Sequence, residues 1–209
     1  MVDNKLNSGR PIAIAAFAIW LFVALAGLVW ANRYTGTAAN LNPAPPHWPV
    51  DSSLSRSTAR PTLIMFAHPR CPCTSASLDE LDRLLCLRPK QLDVHVLFLS
   101  PAELGESWPK IRLWRKAAAI PGVTVGLDVD GLQSKLFNSQ TSGETLLYSA
   151  DGVLLFQGGI TISRGHSGDN PGLTAIVQIL NDGGANNLKS AVFGCPLRDQ
   201  KCAAVTSAL

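Results

Sequence analysis

The chain has 209 residues, 46% of them apolar and 16% charged, with a net charge of +3. That suits one hydrophobic core plus some non-globular sequence. With few charges and no block of Lys or Arg, the chain lacks the electrostatic footprint of a nucleic-acid binder, and that class is excluded.

Residues 1–10 form a short N-terminal segment carrying Lys5 and Arg10. Residues 11–31, PIAIAAFAIWLFVALAGLVWA, contain no charge and run for about the 20 residues a helix needs to cross the hydrocarbon core of a bilayer. After Arg33 the next basic residue is Arg56, so the positive-inside bias puts the N-terminus in the cytoplasm and exports the remainder. A cleaved signal peptide is the competing reading, with GTAAN at 36–40 as its cut site; the length of the apolar run favours an uncleaved anchor.

Residues 32–60 read as a linker. The stretch 35–60 is rich in Pro, Ala, Ser, Thr and Asn and has no sustained periodicity; as a flexible coil it would span about 28 Å, although its HWPV portion has the composition to pack on a domain.

From residue 61 apolar runs alternate with helical patterns. TLIMFA (62–67) is a buried-type strand, and TSASLDELDRLLCL (74–87) is a helix with Leu78, Leu81, Leu84 and Leu85 on one face, ended by Pro89. LDVHVLFLS (92–100) is a second strand, and SWPKIRLWRKAAA (107–119) a second helix with proline in its first turn. That order favours a parallel pair with a right-handed crossover. ETLLYS and VLLFQG around ADG read as a β-hairpin. NPGLTAIVQILNDGG follows, with Asn170 as N-cap, Pro171 first in the helix and Gly183 beyond its last turn. A βαβ unit, a hairpin and a closing helix predict a thioredoxin-like α/β domain over 61–185, a mixed central sheet flanked by helices, with a cysteine-containing tail at 186–209.

Five cysteines in an exported chain point to disulfide or thiol-redox chemistry, and the odd number leaves one unpaired. Cys86, among leucines, is the candidate for a buried free thiol. Cys71 and Cys73 in FAHPRCPCTSAS are the candidate reactive pair. With Pro72 opening the helix, Cys71 is the N-cap and Cys73 lies in the first turn, where unpaired N–H groups and the helix dipole favour a thiolate. A capping box of Ser77 and Glu80 would start the helix later. A Cys71–Cys73 bond closes a small, strained ring, which raises the reduction potential; Cys195 and Cys202 in GCPLRDQKC are the alternative partners, as resolving or structural thiols.

Topology places GGITISRGHSGDNPG (158–172) at the same end of the sheet. This makes Arg164 a candidate for lowering a thiol pKa and His166 for proton transfer or, with Cys71 and Cys73, for Cu(I) ligation. Trp108 and Trp114 read as packing residues, His68 as a weaker candidate, and the basic side of 107–119 as a solvated face.

The stretches FAHPRCPCTSASLDEL, GGITISRGH and FGCPL resemble the thioredoxin-like superfamily, in particular its membrane-tethered TlpA and peroxiredoxin-like branch and, within that, the RedB-like group. The resemblance implies a single-pass protein of the bacterial inner membrane whose domain faces the periplasm and exchanges thiols and disulfides with a protein partner, needing no cofactor. A copper-handling protein and a non-catalytic interaction domain are the alternatives. The departures are specific. Aligned on the usual C-x-x-C pattern, Arg70 replaces the first cysteine, Cys73 matches the second and Cys71 takes the glycine position. Ser142, Gly143 or Glu144 stands where the family has its cis-proline. The peroxiredoxin Thr/Ser three residues before the cysteine, the C-x-x-x-C of Sco-type copper proteins and a C-x-x-C-H haem motif are all missing.

Overall fold

A computed structural model describes residues 9–105, 107–182 and 188–198. The chain divides into two compact units, Met1–Thr37 and Ala38–Leu209. In the first, helix α1 (Gly9–Gly36) runs five residues past the uncharged stretch, and its Pro11–Gly36 portion is long and apolar enough to cross a membrane.

The second unit is built on a six-stranded mixed sheet of order β3-β2-β1-β4-β5-β6. Its strands are β1 (Thr62–Ala67), β2 (Asp93–Ser100), β3 (Val123–Val129), β4 (Thr145–Tyr148), β5 (Leu154–Gly158) and β6 (Leu188–Lys189). β1, β2 and β3 are parallel, β4 is antiparallel to both β1 and β5, and β6 is parallel to β5. Helices α2 (Thr74–Leu87), α3 (Arg112–Ala118), α4 (Leu132–Leu136) and α5 (Pro171–Asp182) surround it. The fold is thioredoxin-like, as the sequence pattern predicts.

Because side chains alternate along a strand, central β1 feeds two cores. Leu63 and Met65 pack with Leu78, Leu81 and Leu84 of α2 and Ile176 of α5; Ile64 and Phe66 pack with Phe137, Leu146 and Tyr148. The second core is closed by segments read as linker and tail. Ala44 and Leu197 are buried in it, and the Trp48 ring packs edge-on against Phe137 and Tyr148.

Residues 38–60 thus belong to the domain instead of spacing it from a membrane. The Ala39 N–H donates to the Val192 carbonyl, Trp48 N–H to Gly152, and Tyr148 Oη to the Pro45 carbonyl at 2.9 Å. An open coil would leave this sheet face wet, and its burial outweighs the coil entropy of the segment.

Two further expectations are corrected. The second helix covers only 112–118, because Pro109 cannot donate and disfavours helical geometry before it, and Ile111 is extended at φ −102°. β3 and α4 had no prediction. Cys86 is exposed, since five residues at 3.6 per turn set it about 140° around the helix from Leu81. Asn170 does cap α5, its Oδ1 accepting the Leu173 N–H at 2.8 Å; Gly183 lies outside the described residues.

Candidate functional site

β1 ends at Ala67 and delivers His68–Cys73 to one end of the sheet. α2 begins at Thr74, not Pro72, and Cys73 is its N-cap, in right-handed helical geometry and with no side-chain capping bond. The reason is local. The Thr74, Ser75 and Ala76 N–H groups donate three residues back, to the carbonyls of Cys71, Pro72 and Cys73, so 71–73 form a tight turn before the helical bonding starts. The capping-box reading also fails, since Glu80 is buried and turned to another loop: its Oε1 accepts the Gly168 N–H at 2.6 Å and its Oε2 the Asn170 amide at 3.3 Å.

The cis-proline position is occupied by the turn Thr141–Glu144, all of whose peptide bonds are trans. Gly143, at φ +88°, donates its N–H to the Phe66 carbonyl, a conformation and approach that suit glycine. Ser142 Oγ accepts the His68 N–H at 2.8 Å and shares a hydrogen bond with Thr74 Oγ1 at 2.7 Å. On the other side of this turn lies 194–198. Ser142 N–H donates to the Cys195 carbonyl and Leu197 N–H to the Gln140 carbonyl, both at 2.8 Å, and Thr141 and Pro196 form an antiparallel bridge. Gly194 fits only because it has no Cβ, which would run into the Ser142 carbonyl. Residues 194–198 are therefore a fixed segment that carries Cys195 onto Cys71. Cys202 lies outside the described residues.

The outcome is a cluster of three sulfurs. Cys71 is 1% exposed, Cys73 is buried and Cys195 is partly exposed. Cys71 is held well below its usual range, from 9.0 to about 4. The first cause is the Cys195 thiol donating to its sulfur; the Cys195 N–H and the Thr74 hydroxyl and N–H add to it, and together they outweigh burial. The Cys195 thiol is pushed up correspondingly, because it donates to Cys71 and is desolvated, so the pair holds one proton between two sulfurs. Burial raises the Cys73 thiol, and the adjacent negative charge of Cys71 raises it further; Arg164 partly offsets both.

The guanidinium of Arg164 is in the cluster: it interacts with Cys73, and its Nη1 donates to the Gly194 carbonyl at 2.7 Å. His166 is exposed, and its Nδ1 donates back to the Arg164 carbonyl at 2.7 Å. The groups that set the charge on the thiols are Thr74, Arg164 and the cysteines themselves, and Thr74 was missed by the sequence reading. Its signal was its place at the opening of the helical pattern after C-P-C. Among the described residues no group of three or more His, Cys, Asp or Glu is arranged to hold a metal ion; Cys71, Cys73 and His166 are the ligand set of the copper alternative, and His166 makes its hydrogen bond to the Arg164 carbonyl. Trp108 packs edge-on against His68, with the Arg70 guanidinium over its ring.

No family model matches the chain, and no curated protein does. Several solved structures do match. An uncharacterized conserved protein from Geobacillus kaustophilus is similar at a TM-score of 0.56 and 17% identity, over 79% of this chain and 93% of that one. A hypothetical protein from Sinorhizobium meliloti is similar at 0.58 and 16%, over 77% and 97%. The exposed lipoprotein thioredoxin of Streptococcus pneumoniae overlaps at 0.43 and 19%, over 60% and 86%, too loosely to bear on activity or location. The first two likenesses extend to the fold alone.

Proposed function

We propose that this chain is a membrane-anchored thiol–disulfide oxidoreductase of thioredoxin-like fold, working with a protein thiol or disulfide partner on the periplasmic side of the bacterial inner membrane, without a cofactor. One observation carries the reading: Cys71, Cys73 and Cys195 meet at the end of β1, with the donors of Thr74 and Cys195 aimed at the Cys71 sulfur, an arrangement that favours its thiolate. A thiolate is the species that attacks disulfides and the better leaving group when one is broken. Stabilising it favours the dithiol form, so the couple is an oxidising one.

The three stretches behind the RedB-like resemblance, FAHPRCPCTSASLDEL, GGITISRGH and FGCPL, supply Cys71 and Cys73, Arg164, and Cys195, and these meet at one end of the sheet. That convergence is what a shared active site requires, and it supports placing the chain in that group. Export follows from α1 as an uncleaved anchor with its basic end inside.

The test is thiol trapping with a disulfide substrate in full-length protein and in single Cys→Ser variants. Turnover that disappears with Cys71→Ser is expected. If no variant forms a mixed disulfide, the oxidoreductase reading fails, and stoichiometric Cu(I) uptake lost in the same variant would put metal handling in its place.

A further inference from the structure

Cys71 and Cys73 sit in the loop where thioredoxin-like chemistry is expected, yet Cys71, which carries the negative charge, is almost wholly covered. A partner sulfur must approach in line with the bond it breaks, so a covered sulfur is a poor point of entry. The residue lying on Cys71 is Cys195, delivered by a different part of the chain and partly exposed. Cys73 also touches Cys71, but bonding the two closes the Cys-Pro-Cys ring across a turn already fixed by the Cys71 carbonyl to Thr74 N–H bond. Cys195 comes from a segment remote in sequence, free of that ring constraint.

We propose that the redox couple is Cys71 with Cys195, and that Cys195 is the sulfur that meets the partner while Cys71 is the covered leaving thiolate. This deepens the oxidoreductase reading and rests on it. In the oxidised protein a partner thiolate attacks Cys195 Sγ. The Cys71–Cys195 bond breaks, its electron pair leaves on Cys71, and a partner–Cys195 disulfide forms. The partner's second thiol, losing its proton, then attacks its own sulfur in that mixed disulfide and expels the Cys195 thiolate, which takes up a proton. The partner dithiol loses two electrons and two protons and becomes a disulfide. The protein gains the two electrons and one proton, held on Cys195 and shared with the Cys71 thiolate, while the other proton goes to solvent.

The fold prepares both ends of this exchange. Thr74 keeps its donors on Cys71 whether or not Cys195 is engaged, so the leaving charge has a receptor at the moment the bond breaks. Arg198 anchors the segment beyond Cys195, its Nη1 donating to the Gly131 carbonyl at 3.0 Å and to Ser134 Oγ at 2.9 Å, and Leu197 is buried in the second core. Cys195 is thus held in register with Cys71 on both sides of the exchange.

The test has two arms on the full chain. Peptide mapping of air-oxidised wild-type protein is expected to find Cys71 linked to Cys195; a Cys71–Cys73 or Cys195–Cys202 link overturns the assignment. Oxidised glutathione is then offered to reduced Cys71→Ser and Cys195→Ser proteins and the adducts mapped. Cys71→Ser should retain glutathione on Cys195, whereas adduct on Cys71 in Cys195→Ser should form about tenfold more slowly. The reverse ranking overturns the role given to Cys195. Exchange running through Cys71 and Cys73 would sink this inference and leave the oxidoreductase reading standing; no disulfide and no adduct at any cysteine would sink both.

Discussion

At Cys71 the sequence provides a thiol and the fold provides its charge. A thiol buried among apolar groups has its ionisation suppressed, and burial works in that direction here too. Cys195 and Thr74 reverse the balance, and the reversal has a thermodynamic signature. A group whose folded pKa lies below its unfolded value stabilises the fold above the unfolded pKa and loses that contribution as pH falls toward the folded one. For Cys71 the window runs from 9.0 down to about 4. Cys195 is shifted upward, so its own contribution is complete below pH 9.0 and changes only above it. Chemical denaturation of the reduced protein at a series of pH values should therefore show stability that declines from pH 9 to pH 4 relative to Cys71→Ser. Thr74→Val, which removes one of the donors, should shrink the difference without abolishing it. Equal slopes in wild type and Cys71→Ser would mean that no thiolate is held at this position.

Arg164 reaches the thiols because the loop that carries it is held from below. The buried carboxylate of Glu80, on the second turn of α2, accepts from Gly168 and Asn170, and Arg83 ties Glu80 to Asp169 with contacts of 3.6 and 2.8 Å. Glu80→Ala should cost about 1–3 kcal/mol by leaving those donors without an acceptor, and should slow alkylation of Cys73 at neutral pH as Arg164 loses its fixed place. Glu80→Gln, which keeps one acceptor oxygen, should fall between; a lowered melting temperature with Cys73 alkylation unchanged would make Glu80 purely structural. The elements that were legible in the sequence carry their own signal: β1 and the β4–β5 hairpin are continuous apolar runs buried along their length, α2 and α5 bury a face set by their own periodicity, and α5 announces its start with Asn170-Pro171. The strand-like segments at 38–48 and 194–198 have no such pattern, because their order comes from pairing across the chain, Ala39 with Val192 and Gln140–Ser142 with Cys195–Leu197. β3 escaped notice for a different reason: it is an edge strand interrupted by Gly126 and Asp128, and most of its residues are only partly buried. Within the site, the cysteine pair and Arg164 could be read from motif and topology, whereas the contact of Cys195 with Cys71 could not, since it depends on Gly194 passing against Ser142.

The two units make separate demands on their surroundings, and the redox reading needs both met. A disulfide that persists requires an oxidising compartment, so the redox reading would place the domain built on Ala38–Leu209 outside the cytosol, with α1, about 42 Å long at 1.5 Å per residue and apolar enough to cross a membrane, as the element that would export and retain it. Cys86 offers a reporter that does not disturb the site: it is exposed on α2 and has no part in the sulfur cluster. In a variant retaining Cys86 as its sole cysteine, a membrane-impermeant maleimide added to intact spheroplasts should label the protein without lysis, and the labelled chain should stay with the membrane through alkaline carbonate washing. Release by carbonate would indicate cleavage near residues 36–40. Such a cut would fall beside Ala39, whose N–H bonds to Val192 just upstream of Cys195, so processing would also loosen the segment that presents Cys195. Labelling only after lysis would put the domain in a reducing compartment, where a Cys71–Cys195 bond would be short-lived and the three sulfurs would need another explanation.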